Sequence, residues 1–426
     1  MERDLLMRTS IAAQRPLGSR LLSAHTLPRI ILALPRVLLA LLWLLVTASL
    51  ATAEEPAVPK KYQLLYATLE TQLNAFEARL PKVSGERALL RGAVLESMRC
   101  AHPESLLSET RRENAMRELD ALRRAGAQAI VIEVCYPLLS PGFQDPRALL
   151  EHYANLANEV RRRDMKLVVE HGTLGPKEGI IVASRFYQRM TKQRFAEERY
   201  AELKSIAIAL QPDYLTMVTD PRTQSAGLKL SPKDWNRYVS SSIAALRHEL
   251  GDFVQALGAG VGLWYDVGYL DAFAAAPGLD YVDLRLYPLI MGRDNSLDRL
   301  LSWPDRIREI DPAKRILISQ AWLYKAGGED AATPVADPDI EARGVYGFWA
   351  PLDARYLRAV ARAARLKDIE FMASRWNSYF FAYLDFYDPA TFKAVPRRLM
   401  ELEEQRASGA MSRDELTATG KAFSGL

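Results

Sequence analysis

The 426-residue sequence predicts an α/β fold, a (β/α)8 TIM barrel with one extra N-terminal helix and long loops after some strands. Two observations carry that expectation. Eight short apolar runs recur between Leu89 and Trp376, and the stretches between them place apolar residues at helical spacing. The runs are apolar almost throughout, as strands buried on both faces of a parallel sheet are. Eight strand–helix units match a closed barrel. An open doubly wound sheet is the rival, but no glycine-rich nucleotide turn follows the first run.

Residues 1–53 read as a targeting leader. Arg29 and Arg36 precede Val37–Leu50, fourteen residues without a charge, and Ala51-Thr52-Ala53 follows. A basic segment, a short apolar stretch and an A-x-A site make a signal peptide, with cleavage expected after Ala53 and export to a periplasmic or extracellular compartment. Fourteen residues fall short of the ~20 that span a bilayer, so an uncleaved membrane anchor is the lesser reading. Residues 54–85 form a linker and a helix, its apolar side chains spaced through 62–80. The barrel occupies 86–405, with runs at 89–96, 129–136, 166–171, 213–219, 254–264, 281–287, 315–321 and 369–376. Helical segments lie between them, among them 113–125, 149–163 and 353–366. Two loops are long, 172–195 and 322–352; the second holds Gly327, Gly328, Pro334 and Pro338 and is a candidate lid. Residues 406–426 read as a weakly packed, flexible tail.

The formal charge of +4 comes from the leader, where six Arg face Glu2 and Asp4. The remaining residues balance and offer no field for nucleic acid, and no membrane span is expected after cleavage. The five His show no metal-ligand spacing, and the sequence has no P-loop, dinucleotide fingerprint or nucleophile elbow, so neither metal nor cofactor is implied. Gly258, Gly260 and Gly262 lack the third glycine and following helix of a dinucleotide site. Cys100 and Cys135 follow strands that would be neighbours; they could bridge or remain two buried thiols.

The last residues of the runs are the candidate site. They include Glu96, Glu133, Glu170, Asp220, Trp264, Asp266, Tyr287, Gln320, Trp322 and Trp376. Carboxylates beside aromatic rings suit carbohydrate, whose C–H faces pack on rings while its hydroxyls need polar partners. Any one of these residues has a structural reading, Trp as packing and Glu as the partner of an Arg, but a barrel gathers all of them at one mouth.

From Ala88 to Tyr387 the chain resembles the clan A glycoside hydrolases, barrels with catalytic Glu residues ending strands four and seven. PDYLTMVTDPRTQ (Pro212–Gln224) is similar to that clan's fourth-strand segment, and DYVDLRLYPL (Asp280–Leu289) to its sixth. ILISQAWLYK (Ile316–Lys325) resembles the seventh, and Trp376 stands where the clan commonly places a Trp under the sugar. The resemblance implies Asp220 at the acid/base position, Gln320 at the nucleophile position and Arg285 where the sixth strand would carry His. Thr219 replaces the usual Asn. Retaining hydrolysis needs two carboxyl groups about 5–5.5 Å apart, and a neutral amide can neither attack nor stabilise the oxocarbenium ion by charge.

The expectation is therefore a carbohydrate-binding barrel that has lost double displacement, with Tyr287, Arg285, Trp264, Trp322 and Trp376 contacting sugar. An alternative is an active hydrolase or transglycosylase using a rewired pair, Asp220 with Glu170, unless Glu170 pairs with Arg285 in a neutral network. A second alternative is a non-enzymatic scaffold in an envelope or polysaccharide-export assembly.

Overall fold

The computed structural model describes residues 57–81, 88–100, 103–143, 145–174, 190–222, 228–251, 256–264, 267–287, 290–291, 294–330 and 337–426. The leader, Asp266, Pro334 and most of the 172–195 loop lie outside the described residues. Helix α1 (Gln63–Arg79) precedes the barrel. The strands are β1 (Leu90–Val94), β2 (Ala129–Tyr136), β3 (Lys166–Thr173), β4 (Tyr214–Thr216), β5 (Leu257–Gly262), β6 (Tyr281–Leu286), β7 (Arg315–Ala321) and β8 (Phe371–Ser374). All neighbours pair in parallel, and β8 closes on β1. The helices between them are α2 (Glu109–Arg124), α3 (Pro146–Arg162), α4 (Lys192–Leu210), α5 (Pro232–Leu250), α6 (Val267–Ala274), α7 (Ser296–Ile310) and α8 (Ala350–Leu366). The eight-stranded barrel and the preceding helix are as expected. No helix among the described residues is long and apolar enough to cross a membrane.

Strand alternation sorts each run into two cores. In β2, Ile130, Ile132 and Val134 face the helices, while Ala129 and Val131 join Val168, Tyr281, Leu317 and Phe371 inside the barrel. Glycines on β5 make room for this inner layer. A Cβ on Gly258 would stand 2.0 Å from the Tyr281 ring, so only glycine lets that ring cross the barrel. The Gly258-Gly260-Gly262 series thus has a packing role, as its lack of a nucleotide signature requires.

Helix α1 is docked. Tyr62 sits within 5.4 Å of the Phe348 ring and 6.0 Å of Trp349, and Tyr66 stacks on Trp349 at 5.4 Å. The described second half of the 322–352 loop is correspondingly buried, with Tyr346, Phe348 and Trp349 in the core, so this stretch is packed wall and not a lid. The C-terminal end also departs from expectation. Residues Pro396–Ser412 form α9 and Ala418–Ser424 form α10, and Phe423 stacks on Phe380 at 4.6 Å. Sparse apolar content suggested a loose tail, yet the few apolar residues, Ala407, Ala410, Met411 and Phe423, all face the core. Cys100 and Cys135 are disulfide-bonded, their Cα atoms 6.0 Å apart, which ties the loop after β1 to the end of β2.

Candidate active site

Continuing each inward-facing series to the C-terminal end of its strand gives the upper layer of the barrel. Val131 leads to Glu133, Val168 to Glu170, Tyr281 to Asp283 and Arg285, and Ala373 to Arg375. Strand β7 departs from strict alternation. Asp283 pairs with Leu317 but Arg285 with Gln320, and Met372 pairs with Ile318 but Ser374 with Ala321. One extra residue is therefore accommodated on β7, a bulge that re-aims side chains. Both Ser319 and Gln320 consequently make contacts inside the mouth.

The Ser319 hydroxyl lies between Glu170 and Asp283 Oδ2 (2.6 Å), its one proton going to one of the two, and its backbone N–H donates to Asp283 Oδ1 (2.8 Å). Gln320 is fully buried and uses both ends of its amide. Its Nε2 donates to Glu133 Oε1 at 2.9 Å and Glu170 Oε2 at 2.5 Å, while its Oε1 accepts from Tyr287 Oη and Arg375 Nη1. Arg285 Nη2 reaches the same two carboxyls, at 3.2 Å and 3.4 Å. Arg375 Nη1 adds Tyr287 Oη at 3.1 Å and Glu133 Oε1 at 3.4 Å.

The two carboxyls on adjacent strands, in register with each other, are driven apart. Burial alone would push Glu133 up, but Arg375, Arg285 and Arg99 together outweigh it and hold the group down at about 2. Burial pushes Glu170 up to about 7; Arg285 opposes this, and Asp283 and Glu133 reinforce it. Burial likewise raises Asp283. At neutral pH the layer is an ionised Glu133 between two guanidiniums, with Glu170 near its midpoint. Buried charge is tolerated here because nearly every oxygen has a donor.

Above this network lies an aromatic rim. Trp264 stacks on Tyr287 with ring centres 5.1 Å apart and planes 19° apart. Gly262 permits this, because a Cβ there would come within 2.5 Å of the Trp264 ring. Trp322 and Trp376 lie 4.9 Å apart, and Arg99 covers the Trp376 ring at 4.7 Å. Trp376 has a φ of 60°, the left-handed region that costs an L-residue roughly 1–2 kcal/mol, and its backbone N–H donates to Glu96 Oε1 at 2.8 Å. Such strain gathers at functional positions. Trp322 Nε1 is buried and has no hydrogen-bond partner among the described residues.

The structure thus joins Gln320, Glu170, Arg285 and Tyr287 in one bonded cluster, with Trp264 stacked on its edge and Trp322 beside Trp376 at the same mouth. Glu170 does pair with Arg285. Asp220 follows the C-terminal end of β4 and is buried; its carboxylate accepts from the Arg222 backbone N–H at 3.2 Å. Sequence reasoning missed Arg375, Ser319 and Asp283, and singled out Glu133 with Glu170 as a carboxylate for alternative chemistry near Asp220. Two-residue alternation from the apolar runs would have found Arg375 and Asp283. Ser319 depends on the bulge, which leaves no mark in the composition of the strand.

No protein-family model matches the chain, and no curated protein matches it. Among solved structures it is similar to an exo-β-1,4-mannosidase from Opitutaceae bacterium strain TAV5, with a TM-score of 0.51 and 13% identity over 80% of this chain. The match spans 59% of the mannosidase. A GH5-4 broad-specificity endoglucanase from Clostridum cellulovorans matches with a TM-score of 0.46 and 12% identity, over 79% of this chain and 96% of that one. A β-mannanase from the blue mussel Mytilus edulis matches at 0.42 and 10%, over 75% and 92%. The chain shares with the mannosidase its (β/α)8 barrel fold. At these identities the likeness extends to the fold alone.

Proposed function

We propose that the chain is an exported barrel that binds carbohydrate at its aromatic mouth and has given up retaining double displacement. The amide of Gln320 carries this reading. Its nitrogen bonds two carboxyls and its oxygen accepts from Tyr287 and Arg375, so the surroundings are built for an amide. A nucleophilic carboxylate at this position would face Glu133 and Glu170 at hydrogen-bond distance. Trp264 on Tyr287 and Trp322 beside Trp376 support a sugar ligand by gathering aromatic rings at the mouth.

The rewired pair of Asp220 and Glu170 is the weaker reading. Glu170 already accepts from Ser319, Gln320 and Arg285, and must break those bonds to move a proton to substrate. Glu133 and Glu170 do not form such a pair either. Both accept from the same Nε2, so that nitrogen fills the space where water or an anomeric carbon would sit.

Export rests on the leader and is supported by the Cys100–Cys135 bridge, since disulfides persist in oxidising compartments. N-terminal sequencing of the mature protein should begin at Glu54, and retention of the apolar segment would refute cleavage. The functional test is a polysaccharide screen of the purified protein that reads binding and reducing-end release together. Binding without release is expected, weakened by Trp376→Ala and kept by Gln320→Glu. Release of reducing ends would overturn the proposal in favour of a rewired enzyme; no binding at all would favour a scaffold.

A further inference from the structure

Beside the barrel mouth, between the turn after β1, helix α2 and helix α9, the structure forms a half-open pocket of about 180 Å³. Glu96, Arg99, Arg111, Glu118, Trp376 and Glu403 are among its lining residues. Glu403 is 3% exposed, and its Oε1 has no hydrogen-bond partner among the described residues. Arg99 Nε and Glu96 Oε2 face each other at 3.6 Å, too far for a hydrogen bond. Glu118, by contrast, is committed, accepting the backbone N–H groups of Glu96 (2.9 Å) and Ser97 (3.0 Å), and so fixes the turn that forms one wall.

We propose that this cavity is a second ligand site, for a single neutral polyhydroxylated ring such as a monosaccharide or cyclic polyol. The lining chooses among ligand classes. A hydroxyl donates and accepts at once, so it can satisfy Arg99 and Glu96 together. An anion would meet the carboxylate of Glu96, and an ammonium would meet Arg99 and Arg111. Burial pushes Glu403 up, against the lowering hydrogen bond from Ser378, and among the described residues its Oε1 is left as an unpartnered polar atom at this wall. Trp376 supplies a flat apolar wall for the C–H face of a ring. The volume of about 180 Å³ leaves room for one ring.

The site goes beyond the reading of the mouth and stands without it. The cavity adjoins the mouth through Trp376, Arg99 and Glu96, but Glu403 and Ser408, both on α9, line it outside the strand-end network. The test titrates the purified, disulfide-bonded protein with D-glucose, D-mannose, D-galactose and myo-inositol, and with D-glucuronate and D-glucosamine as charged counterparts. Saturation-transfer NMR and tryptophan fluorescence report binding. At least one neutral ring should bind. Ser408→Phe, which fills the cavity from α9, should weaken it about tenfold or more, the loss of one good contact. Trp264→Ala, at the mouth, should leave that affinity within about twofold. Glu403→Gln, nearly isosteric, should weaken binding with an unchanged melting temperature, and serves if Ser408→Phe folds poorly.

Failure of every neutral ring to bind would overturn the proposal, as would tighter binding of either charged counterpart. Loss in Trp264→Ala with retention in Ser408→Phe would place the ligand at the mouth and also overturn it. Polysaccharide binding at the mouth can fail while the monosaccharide still binds here, so the two readings fall separately.

Discussion

Replacing Gln320 by Glu is the sharpest probe of the mouth. The wild-type amide supplies one N–H to Glu133 at 2.9 Å and one to Glu170 at 2.5 Å, and accepts from Tyr287 and Arg375. An ionised carboxylate would place an oxygen where that nitrogen stands. Two unit charges 4 Å apart repel by about 4 kcal/mol at an effective dielectric near 20, and these would be closer. The introduced group will therefore keep its proton at moderate pH. A protonated carboxyl has one O–H where the amide had two N–H groups, so one buried carboxyl oxygen loses its donor, at a cost of about 1–3 kcal/mol.

The pH dependence has a definite sign. The introduced carboxyl has a folded pKa raised above its unfolded value, so its contribution is intact below the ordinary carboxylate range and is lost as pH climbs through the raised value. Urea denaturation followed by circular dichroism at pH 5 and pH 8 should show Gln320→Glu less stable than wild type at pH 5 and further behind at pH 8. A variant matching wild-type stability at pH 8 would refute the claim that the mouth is built around an amide.

Four other outcomes are expected. Because Glu170 is pushed up to about 7, the native state should lose stability from this group as pH rises from the ordinary carboxylate range through 7; Glu170→Gln should flatten that slope in urea titrations across pH 4–8. Gly262→Ala should push Trp264 off Tyr287, shifting tryptophan emission and weakening sugar binding at the mouth about tenfold, and unchanged emission would contradict the packing described. Opening the Cys100–Cys135 bridge with Cys135→Ser should cost about 3–4 kcal/mol of stability by the loop-entropy estimate for its separation of 35 residues, and thiol titration of denatured wild type should find no free cysteine. A fluoro-sugar probe should leave wild type unlabelled. It should also leave Gln320→Glu unlabelled, because Asp220 is one methylene short and the new carboxyl, facing Glu133 and Glu170, keeps its proton and cannot attack; labelling of wild type at a strand-end carboxylate would restore the enzyme reading.

What the sequence determined by itself was the architecture and the address of the site. Eight apolar runs separated by amphipathic stretches leave little but a parallel barrel, and β2 and β7 run over the residues their apolar runs mark, Ala129–Tyr136 and Arg315–Ala321. Strand-end chemistry was legible for the same reason: side chains alternate, so Glu133 and Glu170 face inward because Val131 and Val168, two residues before them, do, and Arg285 because Tyr281, four before it, does. Tertiary structure decided the partnerships. The β7 bulge brings Ser319 and Gln320 together at the mouth, and it is set by how β7 must register with β6 and β8, which no single run encodes. Arg375 meets Gln320 only because β8 lies beside β7, and Glu133 only because the barrel closes. Local sequence specifies which way a side chain points. Which charge it meets across the barrel depends on strand order, closure and stagger, and those are properties of the whole chain.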